Sequence, residues 1–227
     1  MDARQQYLDL VRSRPQLFVN PPSAAFHILL DQSEIEQAEA SMADHLRRHA
    51  APAEWATVGV VYRDQYRLLV RDAVRYVDGS LGTYIRELAV DPRFLGVAIL
   101  PVWQDNVLLI RHFRHATRMW HLEIPRGFGT AEDAEESARR ELAEEIGASG
   151  AALTSLGEMY PDTGAGDSRV ALFYAAVTAF GGPEAFEGID EILPTPVADF
   201  EQMIGRFTLD DGYLLATYGR AKARGLI

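Results

Sequence analysis

The chain has 227 residues, of which 48% are hydrophobic, 24% charged and 10% aromatic, and its formal net charge is −11. This is the composition of a globular protein with length enough for one large domain, or a domain and an extension, and with a core that needs no covalent staples. Without cysteine, disulfides and thiolate metal sites are excluded, which suits a reducing compartment, and the cytoplasm is the expected location.

A binder that neutralises nucleic-acid phosphates is disfavoured by the sign of the charge. The uncharged runs Phe94 to Gln104 and Val170 to Pro183 are too short to cross a bilayer, so no membrane partner is expected. The opening stretch MDARQQYLDLVRSRP lacks an apolar core and does not read as a signal peptide.

Residues 1–54 read as a helical extension and residues 55–227 as the main domain. Asp2 to Arg14 is an amphipathic stretch stopped by Pro15. Ser33 and Glu36 have capping-box spacing, and Ile35, Ala38, Met42 and Leu46 then recur at helical intervals. Beyond Pro52 the pattern turns to strands. Thr57 to Tyr62 is β-branched, Tyr66 to Val77 alternates, and Asp78-Gly79 turns into TYIREL. FLGVAILPVW and NVLLIRHF flank a turn at Asp105-Asn106, and HLEIP is a short strand ending at a proline. LTSLGEMY and VALFYAAV are strands joined by the Gly- and Asp-rich loop Pro161 to Ser168, and two helices close the chain, about Val197 to Gly205 and Asp211 to Arg224. Strands with isolated helices and no regular βαβ alternation predict a mixed α+β sandwich.

The chemistry concentrates in residues 127–148, GFGTAEDAEESARRELAEEIGA. Asp133 and Glu136 have capping-box spacing, and Gly147 stands where a helix would end. Ala134, Ala138, Leu142 and Ile146 form the buried stripe. Glu141, Glu144 and Glu145 fall beside it within roughly 100° of arc. Three carboxylates on one flank repel each other, and the helix C-terminus disfavours negative charge. A solvated acidic helix would share this composition. A bound divalent cation would offset both penalties, and hard oxygen donors without Cys or His point to Mg²⁺, with Mn²⁺ as substitute.

The same stretch resembles the Nudix box, G-x5-E-x7-R-E-U-x-E-E-x-G-U with U aliphatic, at Glu132, Arg140, Glu141, Leu142, Glu144, Glu145 and Gly147, with Ala148 in the last U position. It departs at the leading glycine. Gly127 leaves four residues before Glu132 instead of five, and Arg126 holds the usual glycine position. The resemblance implies an α/β/α sandwich with a mixed sheet and hydrolysis of nucleoside diphosphate derivatives. Glu141 and Glu145 would be the principal metal ligands, with Glu144 a further ligand or water partner and the Arg126 carbonyl contributing. Arg140 would orient a box glutamate, and Glu132 would fix the loop to the helix.

Residues 106–128, NVLLIRHFRHATRMWHLEIPRGF, resemble the segment before the box in ADP-ribose pyrophosphatases. Arg111, Arg114, Arg118 and Arg126 face one acid there, Glu123, whereas residues 131–145 carry seven acids and two arginines. A basic wall opposite an acidic metal site suits a phosphate-bearing substrate. Arg114 is the expected phosphate contact, and Arg111, Glu123 and Gly127 are further substrate-binding candidates; solvated strand arginines are the plainer alternative. Trp120 and Phe113 could stack on a base but read more often as core. His112, His115 and His121 lack metal-ligand spacing and read as surface or supporting groups.

In the resembling enzymes a loop after the box carries a catalytic glutamate. Here Asp167 matches the preceding aspartate, and Ser168 stands in the glutamate's place. The base is then Asp167, Asp162, Glu144 or metal-bound hydroxide. The expected substrate is ADP-ribose or a nucleotide sugar, giving a nucleoside monophosphate and a sugar phosphate. The alternatives are dinucleotide hydrolysis and a non-catalytic nucleotide sensor. The segment YRLLVRDAVRYVDGSLGTYIREL resembles strands that form a dimer interface in that subfamily, so a homodimer is expected. No basic helix-turn-helix follows, which argues against a DNA-binding regulator.

Overall fold

The computed structural model describes residues 2–130, 132–184 and 188–227. By its internal contacts the chain divides into two compact units, residues 1–90 with 162–167, and residues 91–161 with 168–227. The boundary expected after residue 54 lies inside the first unit. The reason is packing: α1 (Ala3–Ser13) and α2 (Gln32–Arg48) cover strands that follow residue 54.

In the first unit β3 (Leu68–Arg75) is the central strand. It pairs antiparallel with β4 (Leu81–Leu88) on one edge, and with β2 (Gly59–Arg63) and β1 (His27–Leu29) on the other. Tyr7, Leu10 and Phe18 meet Ile35, Ala38, Leu68, Val70 and Leu88 in its core. Burying that apolar surface is what holds two short helices on a small sheet. One buried polar group needs explanation. Asp72 is held by the Tyr7 hydroxyl at 2.6 Å and by Arg86 Nε at 2.6 Å, so its charge is matched on both oxygens. The helix α2 is capped by Asp31, whose carboxylate accepts from Ser33 N and Glu34 N. Ser33 and Glu36 therefore do not form the expected capping box; an aspartate two residues earlier competes better for the first free N–H groups.

Residues 162–167 attach to this unit along β4. Glu87 N donates to the Ala165 carbonyl at 2.8 Å, and the Asp167 carboxylate accepts from Ala89 N at 2.7 Å.

The second unit is a seven-stranded mixed sheet with helices on both faces, the α/β/α sandwich expected. β5 (Phe94–Trp103) and β6 (Asn106–Arg114) form a hairpin that is paired only at its closed end, Val102 with Val107 and Trp103 with Asn106. Gln104 and Asp105 take positive φ at its tip, the twist a two-residue turn demands. Beyond that point the strands fork. β7 (Met119–Glu123) fills the fork along β6, and β8 (Arg126–Thr130) fills it along β5. On the outer edges β11 (Ile189–Pro196) pairs with β6, and β10 (Val170–Ala176) runs parallel to β5 with β9 (Ala152–Met159) beyond it.

One sheet face packs Val97, Ile99, Leu108 and Ile110 against Ala138, Leu142 and Ile146 of α3 (Ala134–Ile146). The other packs Ala98, Leu100, Val107 and Leu109 against Phe200 of α4 (Val197–Gly205) and Leu214 and Ala221 of α5 (Gly212–Ala223). Alternation along β5 and β6 thus serves two helical layers. Among the described residues no helix is long and apolar enough to cross a membrane.

Candidate active site

The site is built where β8 passes under α3. The stripe Ala138, Leu142 and Ile146 faces the sheet, and this rotation carries Glu141 and Glu145 inward as well: Glu141 is 8% exposed and Glu145 2%. Gly147 ends the helix in the left-handed region at φ 60°, as its position predicted. At the other end Asp133 is the N-cap residue, but its side chain caps nothing, so the expected capping box with Glu136 is absent.

Two glycines let the strand approach. A Cβ at Gly127 would stand 2.1 Å from the Glu141 carboxyl carbon, and one at Gly129 would stand 2.2 Å from Ser137 Oγ. Glu145 accepts a hydrogen bond from Arg126 N at 3.1 Å. Arg140 donates to the Phe128 carbonyl at 2.7 Å, and its guanidinium lies 3.3 Å from Glu141 Oε1 and 3.8 Å from Glu144 Oε1. Glu144 stays partly exposed on the outer flank. Glu132 is exposed at the start of α3, and Ala131 of the shortened loop lies outside the described residues.

The basic segment forms a second, adjoining cluster. Glu123, 2% exposed, is shared by two arginines: Arg114 Nε donates to Oε2 at 2.8 Å, and Arg126 Nη2 reaches both oxygens at 3.0 and 3.1 Å. Arg126 continues to Asp211 Oδ2 at 3.1 Å and stacks over the Tyr213 ring at 4.6 Å. Asp211 in turn caps α5 by accepting from Leu214 N at 2.8 Å. Burial pushes the Asp211 carboxyl above its ordinary pKa, against the opposing pull of Arg126 and the Leu214 N–H.

His112 is also buried here, so of the two readings its sequence context left, surface or supporting group, the surface one does not hold. Among the described residues its Nδ1 has no hydrogen-bond partner, and burial pushes its pKa down to about 4, with Arg114 adding to the effect. Arg111 is turned aside: it pairs with Asp190 at 2.5 Å and stacks over Trp120 at 4.6 Å. Trp120 and Phe113 meet edge to face at 5.5 Å. Asp167 belongs to the first unit and is engaged by Ala89 N.

The structure thus gathers Glu141, Glu145, Arg126, Gly127 and Arg140 around one strand–helix crossing, and Arg114 with Glu123 beside Arg126. Asp211, Tyr213 and His112 escaped the sequence reading as members of this cluster. For Asp211 the only local signal was a polar residue at a helix start, which reads as a cap and no more.

A metal ion can be tested against this donor set. Among the described residues, no group of three or more His, Asp or Glu side chains is gathered as a ligand cage. Hard divalent ions such as Mg²⁺ need no such cage, because they take one or two carboxylates and fill the remaining positions with water and substrate phosphate. The inward Glu141 and Glu145 carboxylates, with the methyl-free space at Gly127, suit that mode of binding.

A helix carrying inward carboxylates over a glycine strand, in an α/β/α sandwich, is an arrangement that can hold a hard divalent cation beside a phosphate. The family model described as NUDIX domain matches residues 92–217, more than half of the chain. The protein belongs to the Nudix hydrolase family. Its fold is similar to that in the crystal structure of an ADP compounds hydrolase, with a TM-score of 0.60 and 21% identity over 75% of this chain and 95% of that one. No curated protein matches the chain.

Proposed function

We propose that the protein hydrolyses the pyrophosphate bond of a nucleoside diphosphate derivative, with ADP-ribose or a nucleotide sugar as substrate and Mg²⁺ as the metal. The observation that carries this reading is the inward placement of Glu141 against Gly127 and of Glu145 against Arg126 N. Two carboxylates buried at a helix C-terminus are costly to keep for stability alone. The solved ADP compounds hydrolase of similar fold adds support for an ADP-containing substrate.

In this reading Glu141, Glu145, Glu144 and the Arg126 carbonyl would hold the metal. When bound, it would neutralise charge on the phosphoryl oxygens. The chain's own residues do the rest. Arg140 holds Glu141 in place from one side while bonded to the Phe128 carbonyl. Gly127 leaves the carboxylate room. Arg114, a quarter exposed on its Glu123 anchor, presents its remaining N–H groups to a substrate phosphate. Arg111 would reach a substrate phosphate only by leaving Asp190 and the Trp120 ring. Glu144 is a third exposed and would serve either as a further metal ligand or as the group that takes the proton from the attacking water. Asp167, the other base candidate of the sequence, lies in the first unit, where its carboxylate accepts from Ala89 N.

We further propose a homodimer and a cytoplasmic location. Val61, Tyr84 and Ile85 stay exposed on strands of the first unit, which supports a second copy as partner. The cysteine-free sequence suits the cytoplasm.

The test is product analysis after incubation with ADP-ribose, nucleotide sugars and dinucleotides, with Mg²⁺ and after chelation. Metal-dependent release of a nucleoside monophosphate and a sugar phosphate is expected. Binding of ADP-ribose with no turnover of any diphosphate would replace hydrolysis with a sensor function.

A further inference from the structure

We propose that Arg126 is a positioning residue for Glu145, and that its side chain works by fixing its own backbone. This rests on the reading of Glu145 as part of the hydrolytic site. Arg126 does two things at once. Its main-chain N–H is donated to the Glu145 carboxylate at 3.1 Å, while its guanidinium is held by three separate groups. Glu123 takes Nη2 on both oxygens, Asp211 takes Nη1 at 3.1 Å, and the Tyr213 ring lies beneath at 4.6 Å.

Each anchor is itself fixed. Glu123 is also held by Arg114, Asp211 caps α5, and Tyr213 lies in the first turn of that helix. Buried Pro125 precedes Arg126, and its carbonyl accepts from Ile99 N at 2.9 Å. Residue 126 therefore has little freedom, and the N–H that Glu145 receives is aimed by contacts on the opposite side of the backbone. The arrangement ties the N-terminus of α5 to a carboxylate of α3 through one residue, whose side chain holds Asp211 and whose main-chain N–H is donated to Glu145. An alanine there would release the backbone and would also strand Asp211 and half of Glu123 without a cation.

The experiment is amide hydrogen exchange on the full-length, metal-free protein, read by two-dimensional NMR, together with steady-state kinetics. In Arg126→Ala the protection factor of amide 126 should fall at least about tenfold while the amides of Ile99 and Leu100 keep theirs. The value of kcat should fall at least about tenfold, with KM changed less than about threefold. Arg126→Lys, able to satisfy Glu123 or Asp211 but not both, should fall between. Asp211→Asn gives a milder version of the same exchange change if Arg126→Ala does not fold. Unchanged protection at residue 126 would overturn the proposal, and so would a uniform loss across β5, which marks a merely structural role. If the wild-type protein turns over no diphosphate, the exchange result stands and only the hydrolytic reading falls.

Discussion

Gly127 lies so close to Glu141 that a Cβ on it would stand 2.2 Å from Oε1 and 2.3 Å from Oε2 of that side chain. The strand needs a glycine here for clearance alone, because residue 127 is not among the glycines with positive φ. Gly127→Ala should therefore keep the backbone path and displace the carboxylate. The expected result is a loss of kcat of about a hundredfold or more, with a stability cost of about 1–3 kcal/mol from overpacking. Steady-state kinetics beside thermal unfolding would check it. Full activity in the variant would show that Glu141 can leave its place without consequence.

Gly129 meets Ser137 instead, at 2.2 Å, so its clearance serves packing and not a carboxylate. Gly129→Ala should destabilise the protein by about 1–3 kcal/mol. The double variant with Ser137→Gly should regain most of that loss, because the hydroxymethyl group is the obstacle. Measured unfolding free energies that simply add would argue that the backbone, and not Ser137, meets the new methyl.

Glu145→Gln keeps the shape of the side chain and its acceptor for Arg126 N while removing the charge. Metal-stimulated turnover should fall at least about a hundredfold with an unchanged circular dichroism spectrum. Wild-type rates would remove Glu145 from the proposed ligands. Arg114→Ala has a mixed expectation. KM for phosphate-bearing substrates should rise, and stability should fall by about 1–3 kcal/mol, since buried Glu123 keeps only Arg126. A stability loss with unchanged kinetics would make Arg114 a support for Glu123 and not a phosphate contact.

Much of this was legible in the chain because the signals are local. The hairpin turn, expected at Asp105-Asn106 and found one residue earlier at Gln104-Asp105, the end of α3 at Gly147, and the two closing helices all follow from neighbours in sequence. β8 was not legible: RGFGT has no alternation to read, and the stretch is a strand because it fills the fork beside β5. β11 hid for a related reason. It carries Pro194 and Pro196 and two acids, which its edge position tolerates. The spacing of Glu141 and Glu145 told which flank they share, but their burial comes from the packing of α3 on β8. The pair Arg126–Asp211 joins residues far apart in the chain, and no local pattern announces it.

His112 sets a pH dependence with a definite sign. Its folded pKa is pushed from 6.5 down to about 4 by burial first, then by Arg114 and Arg126, with Glu123 opposing. Between those values the unfolded chain binds a proton that the folded protein refuses. The contribution of His112 to stability is therefore full above about pH 6.5 and is lost as pH falls toward 4, approaching about 3 kcal/mol in the limit and about 2 kcal/mol at pH 5. His112→Phe removes the titrating group and the unpartnered Nδ1 together. Urea unfolding at pH 7.5 and pH 5 should show a drop in the variant smaller than the wild-type drop by about 2 kcal/mol. Equal drops would mean that His112 finds a partner for its ring nitrogen or is hydrated in solution.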